Sequence, residues 1–124
     1  ARAMTLLGAD VLFYPTAIGS EPQDPKLNSK THWQNVMIGH SAANQIPVIA
    51  SNRIGVEKED DISLSFYGSS FITDHLGNII DEMDSETEGI ITKEIDLNFI
   101  NKYRQSWGNF RDRRPDLYKK ICDF

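Results

Sequence analysis

The chain has 124 residues, 40% of them hydrophobic and 25% charged, with a formal net charge of −5. That length holds one domain without room for a linker and a second, and the composition is that of a folded globular chain rather than a disordered or repetitive one. The acidic balance weighs against nucleic acid as a ligand, because counterion release needs clustered Lys and Arg, and the one dense basic stretch, Arg111 to Arg114, is broken by Asp112 and followed by Asp116.

The first predicted element is the end of a helix, Ala1 to Leu7, with Gly8 as its stop. A helix that opens in mid-pattern, without an initiator Met, fits a truncated chain, and a processed N-terminus would look the same. Two continuous apolar runs come next: Val11 to Tyr14, ended by Pro15, and Ile46 to Ser51. Continuous rather than alternating apolarity predicts strands buried on both faces, as inside a layered α/β fold. Between the runs, residues 18–30 carry Gly19, Pro22 and Pro25 and read as a loop. A helix over Thr31 to Asn44 follows, with Trp33, Val36, Met37, His40 and Ala43 as its apolar stripe.

Glu57 to Asp61 reads as an acidic loop. Leu64 to Thr73 and Ile79 to Met83 read as strands joined through Asp74-His75-Leu76-Gly77-Asn78, a hairpin turn in which Gly77 takes positive φ. Gly89 to Ile95 reads as a further strand. Asp96 is placed to cap a helix with Leu97, Ile100, Tyr103 and Trp107 on one side. Periodicity leaves Gly108 to Phe124 unassigned. No stretch is long and apolar enough to cross a bilayer.

The residues that could carry chemistry are few. Tyr67-Gly68-Ser69-Ser70-Phe71 is no nucleophile elbow, and strand alternation would put Ser69 and Ser70 on opposite faces. His32, His40 and His75 fall in separate elements without metal-ligand spacing; His40 reads as a satisfied core histidine and His75 as a solvated turn residue. The single cysteine, Cys122, excludes an internal disulfide and fits a reducing compartment such as the cytoplasm. Close to the chain end and without a local motif, it is a poor nucleophile candidate. Glu21 stands out, because it follows directly on a predicted buried strand, and open α/β sheets bind ligands beyond the carboxyl ends of their strands. A carboxylate there can hold a cationic ligand; the plain alternative is a solvated loop residue.

Several segments carry a resemblance. Gly8-Ala9-Asp10-Val11-Leu12-Phe13-Tyr14-Pro15-Thr16-Ala17 resembles the stretch after the catalytic cysteine in the nitrilase superfamily of carbon–nitrogen hydrolases. Ala50-Ser51-Asn52-Arg53-Ile54-Gly55 and Phe66-Tyr67-Gly68-Ser69-Ser70-Phe71-Ile72 resemble its next strand and hairpin. Ser20-Glu21-Pro22, Arg104-Gln105-Ser106-Trp107-Gly108 and Phe110-Arg111-Asp112-Arg113-Arg114-Pro115-Asp116-Leu117-Tyr118 are similar to the N-carbamoylputrescine amidase family within it. The resemblance covers essentially the whole chain.

It implies that residues 1–124 are the C-terminal part of one αββα-sandwich domain that hydrolyses non-peptide C–N bonds without a cofactor. The substrate class is a carbamoylated amine, the pathway polyamine biosynthesis, and the assembly a homo-oligomer, with neither nucleic acid nor membrane as partner. The family's Cys nucleophile, Glu base and oxyanion-stabilising Lys all lie upstream of the segment matching Ala1, so no catalytic residue carries over, and Glu21, Lys26 and Lys30 are not substitutes. Glu21 carries over as the residue that receives the distal ammonium, with Thr16 and Ala17 lining the pocket near the reacting carbonyl. The basic tail resembles a subunit-contact segment. A Glu at this place argues against superfamily members that prefer acidic substrates. A non-catalytic interaction domain on the same fold is the alternative of a different class.

Overall fold

The computed structural model describes residues 1–24 and 26–123. Eleven elements run in order: α1 (Arg2–Leu6), β1 (Leu12–Thr16), α2 (Lys30–Asn44), β2 (Val48–Asn52), β3 (Val56–Glu59), β4 (Ile62–Ser65), β5 (Phe71–Thr73), β6 (Ile79–Glu82), α3 (Leu97–Trp107), a 3-10 turn (Pro115–Leu117) and α4 (Lys119–Cys122). Four strands form one mixed sheet in the order β1-β2-β5-β6; β3 and β4 form a separate hairpin. β1 and β2 are parallel, Leu12 facing Val48 and Thr16 facing Asn52, with α2 as the crossover. β2–β5 and β5–β6 are antiparallel.

One face of the sheet is packed. Leu12, Val48, Ala50 and Phe71 meet Trp33 and Met37 of α2 and Ile46 at its exit. Trp33 stands edge-on to Phe71, ring centroids 5.5 Å apart, the geometry that sets a positive ring edge against a negative face. The buried stripe of α2 is Trp33, Met37, Ser41 and Asn44. It is rotated from the predicted one: Val36 is exposed and Ala43 also faces out. Polar Ser41 took its inward place because it finds partners there, while Asn44 bonds back to its own helix. Ser41 Oγ donates to the carbonyls of Ile46 and Asp74, and Asn44 Nδ2 to that of His40.

The predicted burial of β1 on both faces does not hold in this chain. Its burial alternates, and Phe13 is 70% exposed; β1 is an edge strand, and it also runs through Pro15, which stays compatible with an edge. Nor is Glu57 to Asp61 a loop. Val56 to Glu59 pairs with Ile62 to Ser65 around a turn in which Asp60 has φ 50°. The predicted strand Leu64 to Thr73 is broken in two at Gly68 and Ser69, both with φ 54°. Gly89 to Ile95 is not a strand; Ile90 is 91% exposed, and Lys93 reaches back to Asp81 instead.

Other expectations hold. Gly77 has φ 87° in the β5–β6 turn, where the Asp74 carboxylate accepts from the N–H groups of Leu76 and Asn78. Asp96 caps α3, its Oδ1 accepting from Phe99 N at 2.9 Å. Of the predicted α3 stripe, Ile100 is buried while Leu97 and Trp107 remain exposed. The tail that periodicity left open is a 3-10 turn and a single helical turn. Among the described residues no helix is long and apolar enough to cross a membrane.

Candidate functional site

The carboxyl ends of parallel β1 and β2 lie side by side at Thr16 and Asn52. This is where a parallel sheet leaves room for a ligand. The organising side chain is Asn52. Its Oδ1 accepts from Ile18 N at 2.9 Å and from Thr16 Oγ1 at 3.1 Å; its Nδ2 donates to the carbonyls of Ile18 and Gly68. Its backbone N–H donates to Ser70 Oγ at 2.9 Å. One amide thereby joins the exit of β1, the end of β2 and the kink before β5. The sequence offered a weak signal for it, an Asn closing an otherwise apolar strand run.

Beyond Asn52 the chain from β1 crosses the open end of the sheet. Tyr67 N–H donates to Ile18 O, Gly19 bridges to Phe66, and Ser20 N–H donates to Ser65 O at 2.8 Å. Ser20 Oγ in turn accepts from Ser65 N–H at 3.0 Å. Gly19 is required here, because a Cβ on it would lie 2.4 Å from the Ser65 carbonyl oxygen. Glu21, which follows Ser20, opens onto a cleft of about 490 Å³ between this loop and the hairpin. Glu21, Pro22 and Gln23 form one wall; Asp61, Ile62 and Ser63 form the other. Glu21 is exposed, and among the described residues no ion pair engages its carboxylate.

The predicted binding residues separate into two places. Thr16 sits at the strand end with its hydroxyl held by Ser51 O and Asn52 Oδ1, and Ala17 beside it is exposed. Neither lines the Glu21 cleft. Lys26 is an exposed loop residue and Lys30 opens α2.

The remaining candidates are structural. Ser69 is buried and its Oγ donates to Tyr67 O, while Ser70 Oγ is shared between the N–H and carbonyl of Asn52. Neither belongs to a strand at Ser69, so the alternation argument falls, but both hydroxyls are occupied by backbone. His40 Nδ1 lies 2.9 Å from Tyr14 Oη; burial pushes the Tyr14 phenol up and the His40 ring down. His75 is not merely solvated. It stands edge-on to Tyr103 at 4.7 Å and to Phe99 at 5.7 Å, joining the β5–β6 turn to α3. His32 is exposed, as is Cys122 on its short helix. Among the described residues no cluster of His, Cys, Asp or Glu is arranged to hold a metal ion.

A second cavity of about 320 Å³ lies under the tail, lined by Asn101, Arg104, Gln105, Gly108, Phe110 and Arg111. The guanidinium groups of Arg2 and Arg104 both lie over the Phe110 ring. The basic tail is largely neutralised within itself. Arg111 grips Asp112 and Arg114 grips Asp116, each hydrogen bond holding its carboxyl below the usual range.

The carbon–nitrogen hydrolase family model matches residues 1–105. The chain is 56% identical over 125 residues to N-carbamoylputrescine amidase of Arabidopsis thaliana, covering 98% of this chain and 42% of that protein. It is 54% identical over 121 residues to citrullinase of Francisella tularensis, with the same coverages. Among solved structures, a carbon–nitrogen hydrolase from Helicobacter pylori superposes with a TM-score of 0.88 at 37% identity, covering 98% of this chain and 44% of that one. The chain thus spans about two fifths of the length of the curated relatives it matches.

Proposed function

The chain belongs to the carbon–nitrogen hydrolase family, and on that premise we propose that it is the C-terminal part of an amidase that hydrolyses N-carbamoylputrescine. One water is consumed, the two C–N bonds of the ureido carbon are broken, and putrescine, ammonia and carbon dioxide are released, a step of polyamine biosynthesis placed in the cytoplasm. The nucleophilic Cys, the Glu base and the Lys that meets the developing oxyanion belong, by resemblance, upstream of Ala1. What this chain contributes is the amine end of the site. The reading includes a homo-oligomer with the Arg111 to Asp116 tail at a subunit contact.

The observation that carries the reading is the cleft at Glu21. Among the described residues its walls hold two carboxylates, Glu21 and Asp61, and no cationic side chain. A carbamoylated diamine presents a lone ammonium at its far end, which a carboxylate complements. Citrulline presents an ammonium and a carboxylate there, and the second charge is opposed by the same walls. The 54% identity to a citrullinase makes citrulline the second reading.

The deciding experiment follows ammonia release by the full-length protein on N-carbamoylputrescine, on citrulline and on carbamoylated butylamine, which has no distal charge. The expected order of kcat/KM puts N-carbamoylputrescine first. Citrulline in first place overturns the substrate assignment, and no release from any of the three overturns the amidase reading.

A further inference from the structure

The β3–β4 hairpin has no role in the core: none of residues 56–65 is buried. Its attachments are specific nonetheless. At its base, Phe66 is buried, donates N–H to Gly55 O and carries the Arg53 guanidinium over its ring at 4.4 Å. Along its second strand, Ser65 exchanges two hydrogen bonds with Ser20, one through the Ser20 backbone and one through its hydroxyl. Ser20 is adjacent to Glu21, and the turn and second strand of the same hairpin supply Asp61, Ile62 and Ser63 to the opposite wall. The hydroxyl of Ser20 therefore adds a side-chain tie to the backbone bonds that join the two walls.

We propose that the β3–β4 hairpin is the specificity wall of the amine cleft and that Ser20 is the positioning residue that locks Glu21 against it. This rests on the reading of Glu21 as the carboxylate for the distal ammonium. A hairpin with no buried residues cannot hold its own place by burial, so the Ser20–Ser65 pair sets its register against the loop. Gly19 serves the same contact by allowing the close approach to Ser65.

The test uses the full-length enzyme and two substrates, N-carbamoylputrescine and carbamoylated butylamine. Ser20→Ala removes one hydrogen bond and is expected to raise KM for the diamine substrate about 2- to 5-fold, no more than Glu21→Gln does. It should leave kcat for that substrate and KM for the monoamine substrate in place, and Ser20→Thr, which keeps the hydroxyl, should restore the diamine KM. Glu21→Gln is run alongside. If Glu21→Gln separates the two substrates and Ser20→Ala does not, the positioning role is overturned while the reading of Glu21 stands. Equal KM increases on both substrates for Ser20→Ala would also overturn it, as a structural effect. If Glu21→Gln fails to separate the substrates, the reading beneath the proposal fails and takes the proposal with it.

Discussion

Thr73 Oγ1 and Ser41 Oγ meet 2.9 Å apart inside the core, and between them they tie three elements together. Thr73 accepts from Val48 N–H at 2.9 Å, while Ser41 donates to the carbonyls of Ile46 and Asp74. Both residues are fully buried. Thr73→Val leaves the Val48 N–H without its side-chain partner, and burying such a group unpaired costs about 1–3 kcal/mol. Urea unfolding should show that loss, with Thr73→Ser retaining most of the stability. A Thr73→Val protein as stable as the parent would remove this network from the account of the fold.

The Tyr14–His40 contact predicts how stability depends on pH. With the ring neutral and its proton on Nε2, Nδ1 accepts the Tyr14 hydroxyl proton. Burial lowers the folded-state value below the ordinary 6.5. The unfolded chain therefore binds a proton before the folded one does. This contribution is fully present above the ordinary His range and is lost as pH falls through it and on through the lower folded value. Urea midpoints at about pH 7.5 and about pH 5.5 should differ in that direction, and His40→Gln should flatten the difference. A parent slope unchanged by His40→Gln would show that other groups set it.

Glu21→Gln keeps the shape and removes the charge. The exposure of Glu21 in this chain tempers the expected effect, since a charge pair open to water is worth about 1 kcal/mol or less. KM of the full-length enzyme for N-carbamoylputrescine is expected to rise up to about 5-fold on that scale, and further if the cleft closes over the ligand. Carbamoylated butylamine should show no comparable change. Parallel losses on both would return Glu21 to the role of a solvated loop residue.

The 124-residue chain by itself should release no ammonia from N-carbamoylputrescine. The hydroxyls of Ser69 and Ser70 are bonded to backbone, and Cys122 is exposed. Loss of a nucleophile costs many orders of magnitude in rate. Turnover that persists through purification and disappears in Cys122→Ala would refute this.

The same chain should self-associate. β1 is an unpaired sheet edge with Phe13 exposed on the face away from α2, a template for pairing with a second chain. Light scattering after size exclusion is expected to report mass above one chain, reduced by Phe13→Glu. A monodisperse monomer with cooperative unfolding would contradict the expectation.

Sequence alone determined the elements whose signal is local. Gly77 and Asp74 fixed a hairpin turn, Asp96 fixed the start of α3, and the runs around Leu12 and Val48 fixed two strands with a crossover helix between them, because turn chemistry, capping and apolar runs act over a few residues. The motifs that resemble the carbon–nitrogen hydrolases were legible for the same reason: they are contiguous. Tertiary structure alone decided the rest. Whether Val36 or Ser41 faces the sheet depended on which carbonyls lay opposite, and periodicity does not count those. Gly89 to Ile95 has the composition of a strand but pairs with none among the described residues. Asn52 became the centre of the site through the carbonyls of Ile18 and Gly68, which are distant in sequence. The loop that carries Glu21 meets the hairpin through Ser20 and Ser65, 45 residues apart, a contact set by the path of the backbone that neither residue's own neighbourhood encodes.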